Sequence, residues 1–302
     1  MTENQIVRAS VPALDEILGQ SFPILDHGHI RVVDYMGDDA AIVQAARVSY
    51  GAGTKQVHED RGLIRYLLRN AHTTPFEMCK IKLHVRVPMD CWRQWIRHRT
   101  ASVNEYSTRY SEAIADQQTT LPDEWRLQAA QNKQGSDGFL APETGSELTA
   151  AEAGFHQAAR ELYQSRINEG VAREQARKDL PLSTYTEAYW STDLHNLLHF
   201  LQLRMDGHAQ YEIRQYASLI GEEIVSRWVP LAWEAFKDYR LNALRLSGPE
   251  IELMRILITQ DQAAARVWML EKGWINPASG KKSREALEIE SKLAALGLKT
   301  VG

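Results

Sequence analysis

Three arginines, a histidine, two serines, an asparagine and a glutamate fall within the thirteen residues from Arg97 to Arg109. Their order is Arg97-His98-Arg99, then Ser102, Asn104, Glu105, Ser107 and Arg109. A guanidinium pairs with phosphate through two parallel N–H groups, and serine and asparagine bond phosphate or sugar oxygens. An extended chain has a two-residue side-chain period, which predicts Glu105, Ser107 and Arg109 on one face. A fork donor, a hydroxyl and a carboxylate side by side suit a nucleotide. A solvated charged loop is the plainer account of such composition, and residue types alone do not separate the two.

Other reactive side chains read as structural. Cys79 and Cys91 are the only cysteines, too few for a disulfide framework, and both are expected to pack as small hydrophobes. His195 and His199 stand four apart, a spacing able to hold zinc on one helical face. No glutamate follows His195 in the H-E-x-x-H manner, so polar-face histidines are the simpler reading. Arg61, Arg65 and Arg69 read as a solvated basic stripe, and Trp190, Trp228 and Trp233 as core. Gly51-Ala-Gly53 is too short for a dinucleotide fingerprint, and no G-x-G-x-x-G occurs.

These groups need elements to hold them. Alternation over Lys80–Val87 predicts a strand with Ile81, Leu83, Val85 and Val87 inward, and His29–Met36 predicts another, ended by Gly37. Helices are predicted over Ala40–Val48, capped by Asp38 or Asp39, and over His58–Ala71. A further helix runs from Pro88 to Arg99. Gln117–Thr149 reads as a surface loop or insertion. Ala150–Glu169 and Arg173–Lys178 are helical, and Thr192 or Asp193 caps the helix carrying Leu194, Leu197, Leu198 and Leu201. Another holds Ile213 to Ile224 and ends near Trp228 and Pro230. The tail from about Leu246 is helical at Glu250–Leu257, Gln262–Glu271 and Ser283–Leu296. The expected class is α+β, a small antiparallel sheet wrapped by many helices. Net charge is −4, which gives no overall pull toward nucleic acid or an anionic membrane. No apolar run reaches membrane-span length, and residues 1–20 lack a signal-peptide pattern.

The 97–109 string resembles the signature of flavin-dependent thymidylate synthases, R-H-R-x-x-S-x-N-E-x-S-x-R, at all eight specified positions. The resemblance extends from about Ile24 to Leu241, through VVDYMGDDAAIVQAARVSYG, HTTPFE at His72–Glu77, ARKDLPLSTYTEAYWS at Ala176–Ser191 and LRMDGHAQYEIRQYA at Leu203–Ala217. It implies an FAD site where subunits meet. The matching positions are Ser49, His72, Thr74, Glu77, Arg97, His98, Arg99, Asn104, Glu105, Asp193, His195, His199, Arg204 and His208. Relatives commonly carry Asn at Asp193, and a carboxylate does not donate as an amide does. The resemblance also implies dUMP held by Gln94, Arg97, Glu105, Ser107, Arg109, Arg177 and Arg204.

The implied reaction methylates C5 of dUMP, with methylenetetrahydrofolate giving the carbon and FADH2, reduced by NADPH, the hydride. C5 of uracil is a weak nucleophile whose attack builds negative charge on the ring oxygens. Arg204 is the candidate to stabilise that charge, since an arginine keeps its proton. Ser107 is a candidate nucleophile with no adjacent base, and is assigned to substrate binding. A cytoplasmic homotetramer with shared sites is implied, with residues 1–245 catalytic and 246–302 a helical extension. The competing reading is a nucleotide- or RNA-binding module using the same basic stretch. The acidic net charge and the scarcity of interleaved aromatics, Tyr106 and Tyr110 excepted, oppose it.

Overall fold

The structure is a computed structural model that describes residues 8–48, 57–129, 135–259 and 261–301. Ser49, a candidate flavin contact, and the Gly51–Gly53 run lie outside the described residues.

In chain order the strands are β1 (Ser21–Ile24), β2 (Gly28–Met36), β3 (Lys80–Pro88), β4 (Ser102–Glu105), β5 (Arg126–Gln128), β6 (Ser136–Phe139) and β7 (Tyr185–Asp193). Among the described residues, five of them form one antiparallel sheet in the order β1-β2-β3-β7-β4. The alternation along β3 does what its pattern predicts, burying Ile81, Leu83, Val85 and Val87 on one face. β7 pairs with β3 along its whole length and turns Ala188, Trp190 and Thr192 inward. Gly37 ends β2 at a φ of +84°, a left-handed turn that glycine adopts without cost. Its carbonyl accepts from Nε1 of the buried Trp228 at 2.8 Å.

The helices up to Leu241 are α1 (Pro12–Asp15), α2 (Asp39–Val48), α3 (Val57–Arg69), α4 (Thr74–Glu77), α5 (Met89–Trp95), α6 (Pro142–Asn168), α7 (Arg173–Ala176), α8 (Leu194–Arg204), α9 (Tyr211–Leu219), α10 (Ser226–Trp228) and α11 (Pro230–Phe236). Wider π-helical turns follow α9 at Ile220–Val225 and α11 at Lys237–Leu241. Asp38 caps α2, its carboxylate accepting from the Ala41 amide at 2.8 Å. Asp39 instead reaches across to the start of α11 and accepts from the amides of Leu231 and Ala232 at 2.8 and 3.0 Å. One core, in which Trp92, Trp95, Trp190, Phe200 and Tyr216 are fully buried, joins sheet and helices.

The chain divides after Leu241 into a second compact unit, Asn242–Gly302. It contains α12 (Gly248–Ile258), α13 (Gln262–Glu271) and α14 (Arg284–Ala295) around its own core of Leu253, Met269, Ile289 and Leu293. Ser247 and Glu250 form a capping box on α12, and Ser283 caps α14.

Several expectations need correcting. The helix after Pro88 stops at Trp95, so Arg97–Arg99 lie beyond it. The 117–149 segment is not loop throughout: β5 and β6 pair within it, and α6 starts at Pro142, where proline suits a first helical turn. The extended stretch ends at Tyr106, whose amide donates to Glu187 O at 2.8 Å, and Ser107 then opens a turn. Ser107 and Arg109 therefore do not continue the face that carries Glu105. The arginine stripe is exposed at Arg61 and Arg69, as expected, but it also makes ion pairs with the chain beyond α10. Arg61 and Arg65 bond Glu234, and Arg65 also pairs with Asp238 at 2.7 Å.

Candidate active site

α8 starts where β7 ends, and the junction is locked by Asp193. Its carboxylate accepts from the Asn196 amide at 2.9 Å and from Asn196 Nδ2 at 2.8 and 3.0 Å. Asp193 is thus the N-cap of α8. On the far side of β7, Thr192 Oγ1 donates to Thr100 O at 3.1 Å, which ties the loop after α5 to the same end of the sheet. Between loop and helix opens a cavity of about 500 Å³. Arg97, His98, Arg99 and Thr100 line it from the loop, Trp190 and Thr192 from β7, and His195, Asn196, His199, Leu203 and Arg204 from α8. The periodicity of α8 explains the last set: the buried Leu194, Leu197, Leu198 and Leu201 face the core and leave the polar positions for the cavity.

None of these eleven lining residues carries a carboxylate. Arg204 Nε donates to Nε2 of His98 at 3.1 Å. Burial, then the charges of Arg204 and His199, pull the His98 imidazolium down to about 4, so this ring is neutral near pH 7. Burial also lowers the pKa of Arg204, which stays charged all the same. The arrangement is a field of guanidinium and N–H donors with no internal anion. It fits a ligand rich in acceptor oxygens and negative charge, and FAD, with its diphosphate and isoalloxazine carbonyls, is such a ligand.

The cavity gathers six of the candidate residues: Arg97, His98, Arg99, His195, His199 and Arg204. A second cluster lies elsewhere. Glu105 accepts from Thr186 Oγ1 at 2.9 Å, Arg177 donates to the Thr108 hydroxyl, and Arg109 pairs with Glu174 at 3.2 Å. Glu105 pairs with Ala188 and bonds Thr186, whereas the cavity meets β7 at Trp190 and Thr192, so the second cluster lies toward the start of the strand and outside the cavity lining. Asn104 sits with Glu105 on exposed β4, opposite Tyr189. Gln94, in the last turn of α5, donates to Gln210, which in turn donates to Asp90 at 2.9 Å. His72, exposed against Tyr66, precedes α4, where Thr74 and Glu77 reside; α4 packs on α8. His208 is exposed, pairs with Asp206 at 2.9 Å and does not line the cavity. The sequence does not mark Asn196, Trp190 or Thr192 as cavity residues. The three-residue spacing of Asp193 and Asn196, which suits a cap, is the one available signal for Asn196.

Neither thiol is poised to attack. Both cysteines are fully buried; burial pushes Cys79 up to about 12 and Cys91 higher than a free thiol. Among the described residues, no group of three or more His, Cys, Asp or Glu side chains is placed to hold a metal, and no helix is long and apolar enough to cross a membrane.

A cationic, carboxylate-free cavity at the end of an antiparallel sheet is the architecture of an α+β enzyme that takes nucleotide-like ligands. The family model described as "Thymidylate synthase complementing protein" matches residues 31–231. A flavin-dependent thymidylate synthase of Wolbachia pipientis wMel is 52% identical over 251 residues, 83% of this chain and 88% of that protein. One of Thermus thermophilus is 50% identical, covering 89% and 95%, and one of Rickettsia typhi is 47% identical, covering 95% and 98%. The crystal structure of PolB, a UMP/dUMP methylase of Streptomyces cacaoi bound with 5-Br UMP, superposes with a TM-score of 0.64 at 32% identity, covering 71% of this chain and 95% of that one. The chain belongs to the flavin-dependent thymidylate synthase family.

Proposed function

We propose that this chain methylates dUMP at C5 to give dTMP, with methylenetetrahydrofolate as carbon donor and NADPH as reductant. The observation that carries the reading is the charged Arg204, half-buried in a cavity without a carboxylate and held by His98. Flavin bound there and reduced by NADPH to FADH2 would supply the hydride for the transferred carbon. Arg97, Arg99, His195 and His199 would hold the flavin, and Arg204 would face the uracil ring. Negative charge that develops on the ring oxygens meets a fixed guanidinium that needs no reorganisation. Arg97 completes the substrate contacts on this side, and Gln94, outside the cavity lining, is assigned to dUMP on the basis of the resemblance.

Glu105, Ser107, Arg109 and Arg177 belong to the same substrate site in this proposal, yet none of them lines the Arg204 cavity. We infer that two copies build each site, one giving the Arg204 cavity and the other the Arg109–Arg177 cluster, and a homotetramer supplies such pairs. His72, Thr74, Glu77 and Asn104 are assigned to flavin on the same basis. Asp193 is assigned to holding Asn196 rather than to a flavin contact, and the exposed His208 keeps only the role the resemblance gives it. We assign residues 1–245 to the catalytic domain and 246–302 to a helical extension. Two buried free thiols suit a reducing cytoplasm.

The test is direct. Purified protein should absorb as a flavoprotein and form dTMP from dUMP, methylenetetrahydrofolate and NADPH, with NADPH oxidation dependent on dUMP. Protein that binds no FAD and forms no dTMP would refute the proposal and favour a module that only binds nucleotides.

A further inference from the structure

Arg204 has a long, flexible side chain, and its charge can be aimed only if something holds it. What holds it is a bond from Nε to His98 Nε2, at 3.1 Å. Arginine has no lone pair to offer, so Nε2 must be the acceptor and the ring proton sits on Nδ1. The ring is itself fixed. Its plane meets Phe200 at 79° with centroids 5.0 Å apart, and His199 at 60° and 5.8 Å. Phe200 and Arg204 are four residues apart on α8, hence neighbours on one helical face. His98 spans that turn, packing on Phe200 and bonding Arg204.

We propose that His98 is a positioning residue for Arg204, its Nε2 lone pair fixing the Nε edge of the guanidinium so that both Nη groups point as a fork at the pyrimidine ring. The proposal rests on the functional reading above and adds to His98 a role beyond the flavin contact that the family resemblance implies. The geometry favours it over a flavin contact alone. A ring used only for flavin would have no reason to spend its acceptor on Arg204, and a protonated ring could not accept. Arg204 and His199 from α8 contact it, and Arg97 and Arg99 from its own loop line the same cavity, with no carboxylate among them. Burial first, and then the charges of Arg204 and His199, keep the ring unprotonated and the lone pair available.

The experiment is a double-mutant cycle on the full-length protein with saturating FAD, bound flavin being checked by absorbance. His98→Leu removes the acceptor, while His98→Gln places an amide oxygen near the position of Nε2. Both are made in the native protein and in the Arg204→Lys background. We expect His98→Leu to lower kcat by about 10–100-fold with little change in KM for dUMP, the penalty for a misplaced catalytic group. His98→Gln should recover most of that loss, and His98→Leu should cost nothing further once Arg204 is lysine. A penalty that persists in full on the Arg204→Lys background overturns the proposal, because His98 would then act through flavin or the fold. Failure of His98→Gln to recover more than His98→Leu overturns it as well. Native protein that forms no dTMP at all is a different result, and it refutes the functional reading.

Discussion

Arg204 carries the chemistry because its charge is permanent while its surroundings are half-dry. A preorganised donor of this kind is worth roughly 10²–10³-fold in rate, so Arg204→Lys, which keeps the charge but loses the planar fork, should lower kcat by about that factor. Bound-flavin absorbance should be unchanged; a near-normal rate would remove Arg204 from the mechanism. Asp193 makes a different prediction. Its three bonds to Asn196 mark it as a cap, so Asp193→Ala should cost about 1 kcal/mol of stability, seen as a lower Tm. Asp193→Asn keeps an acceptor and should melt near the native value. Equal melting of all three proteins would show that the cap contributes nothing. The residues of the 97–109 string are legible because their types are rare in combination. Asn196 is not, since nothing in its own type distinguishes it; its place becomes visible only once Asp193 is seen to hold its Nδ2.

Elements with strong apolar alternation, such as β3, can be read from the sequence, and so can α8 and α9 with their helical spacing. β7 cannot: three of its inward positions are Thr186, Ala188 and Thr192, small or polar residues that leave little apolar signal. β1 holds Pro23, which suits only an edge strand, and β4 is exposed along its length. The junction of α2 and α11 gives a prediction at this scale. Burial, augmented by the charge of Asp38, raises Asp39 from 3.8 to about 6 even though the amides of Leu231 and Ala232 pull the other way. The folded value lies above the unfolded one, so the charged form opposes folding above about pH 6, and this penalty fades as pH falls toward 4. Thermal melts of native protein and Asp39→Asn should show the native protein gaining on the variant as pH drops from 7 to 4.5. Parallel pH curves for the two proteins would contradict the assignment.

At the scale of the whole molecule, the division after Leu241 follows from two cores that share no residue. The sequence marks that boundary only where the family resemblance fades. The larger consequence concerns the site. Its candidate residues fall into an Arg204 cavity and an Arg109–Arg177 cluster outside its lining, a division that no local pattern reveals because it depends on strand pairing. The measurement that tests this most directly uses Arg204→Ala and Arg109→Ala proteins, each expected to form dTMP very slowly. If each site takes its two halves from different copies, mixed and reassembled subunits will contain some sites with both arginines intact. dTMP formation by the mixture should then exceed the sum of the separate variants by about tenfold or more, given the rate carried by each group. A mixture that never exceeds that sum, while subunit exchange is demonstrated and native protein is active, would contradict the account.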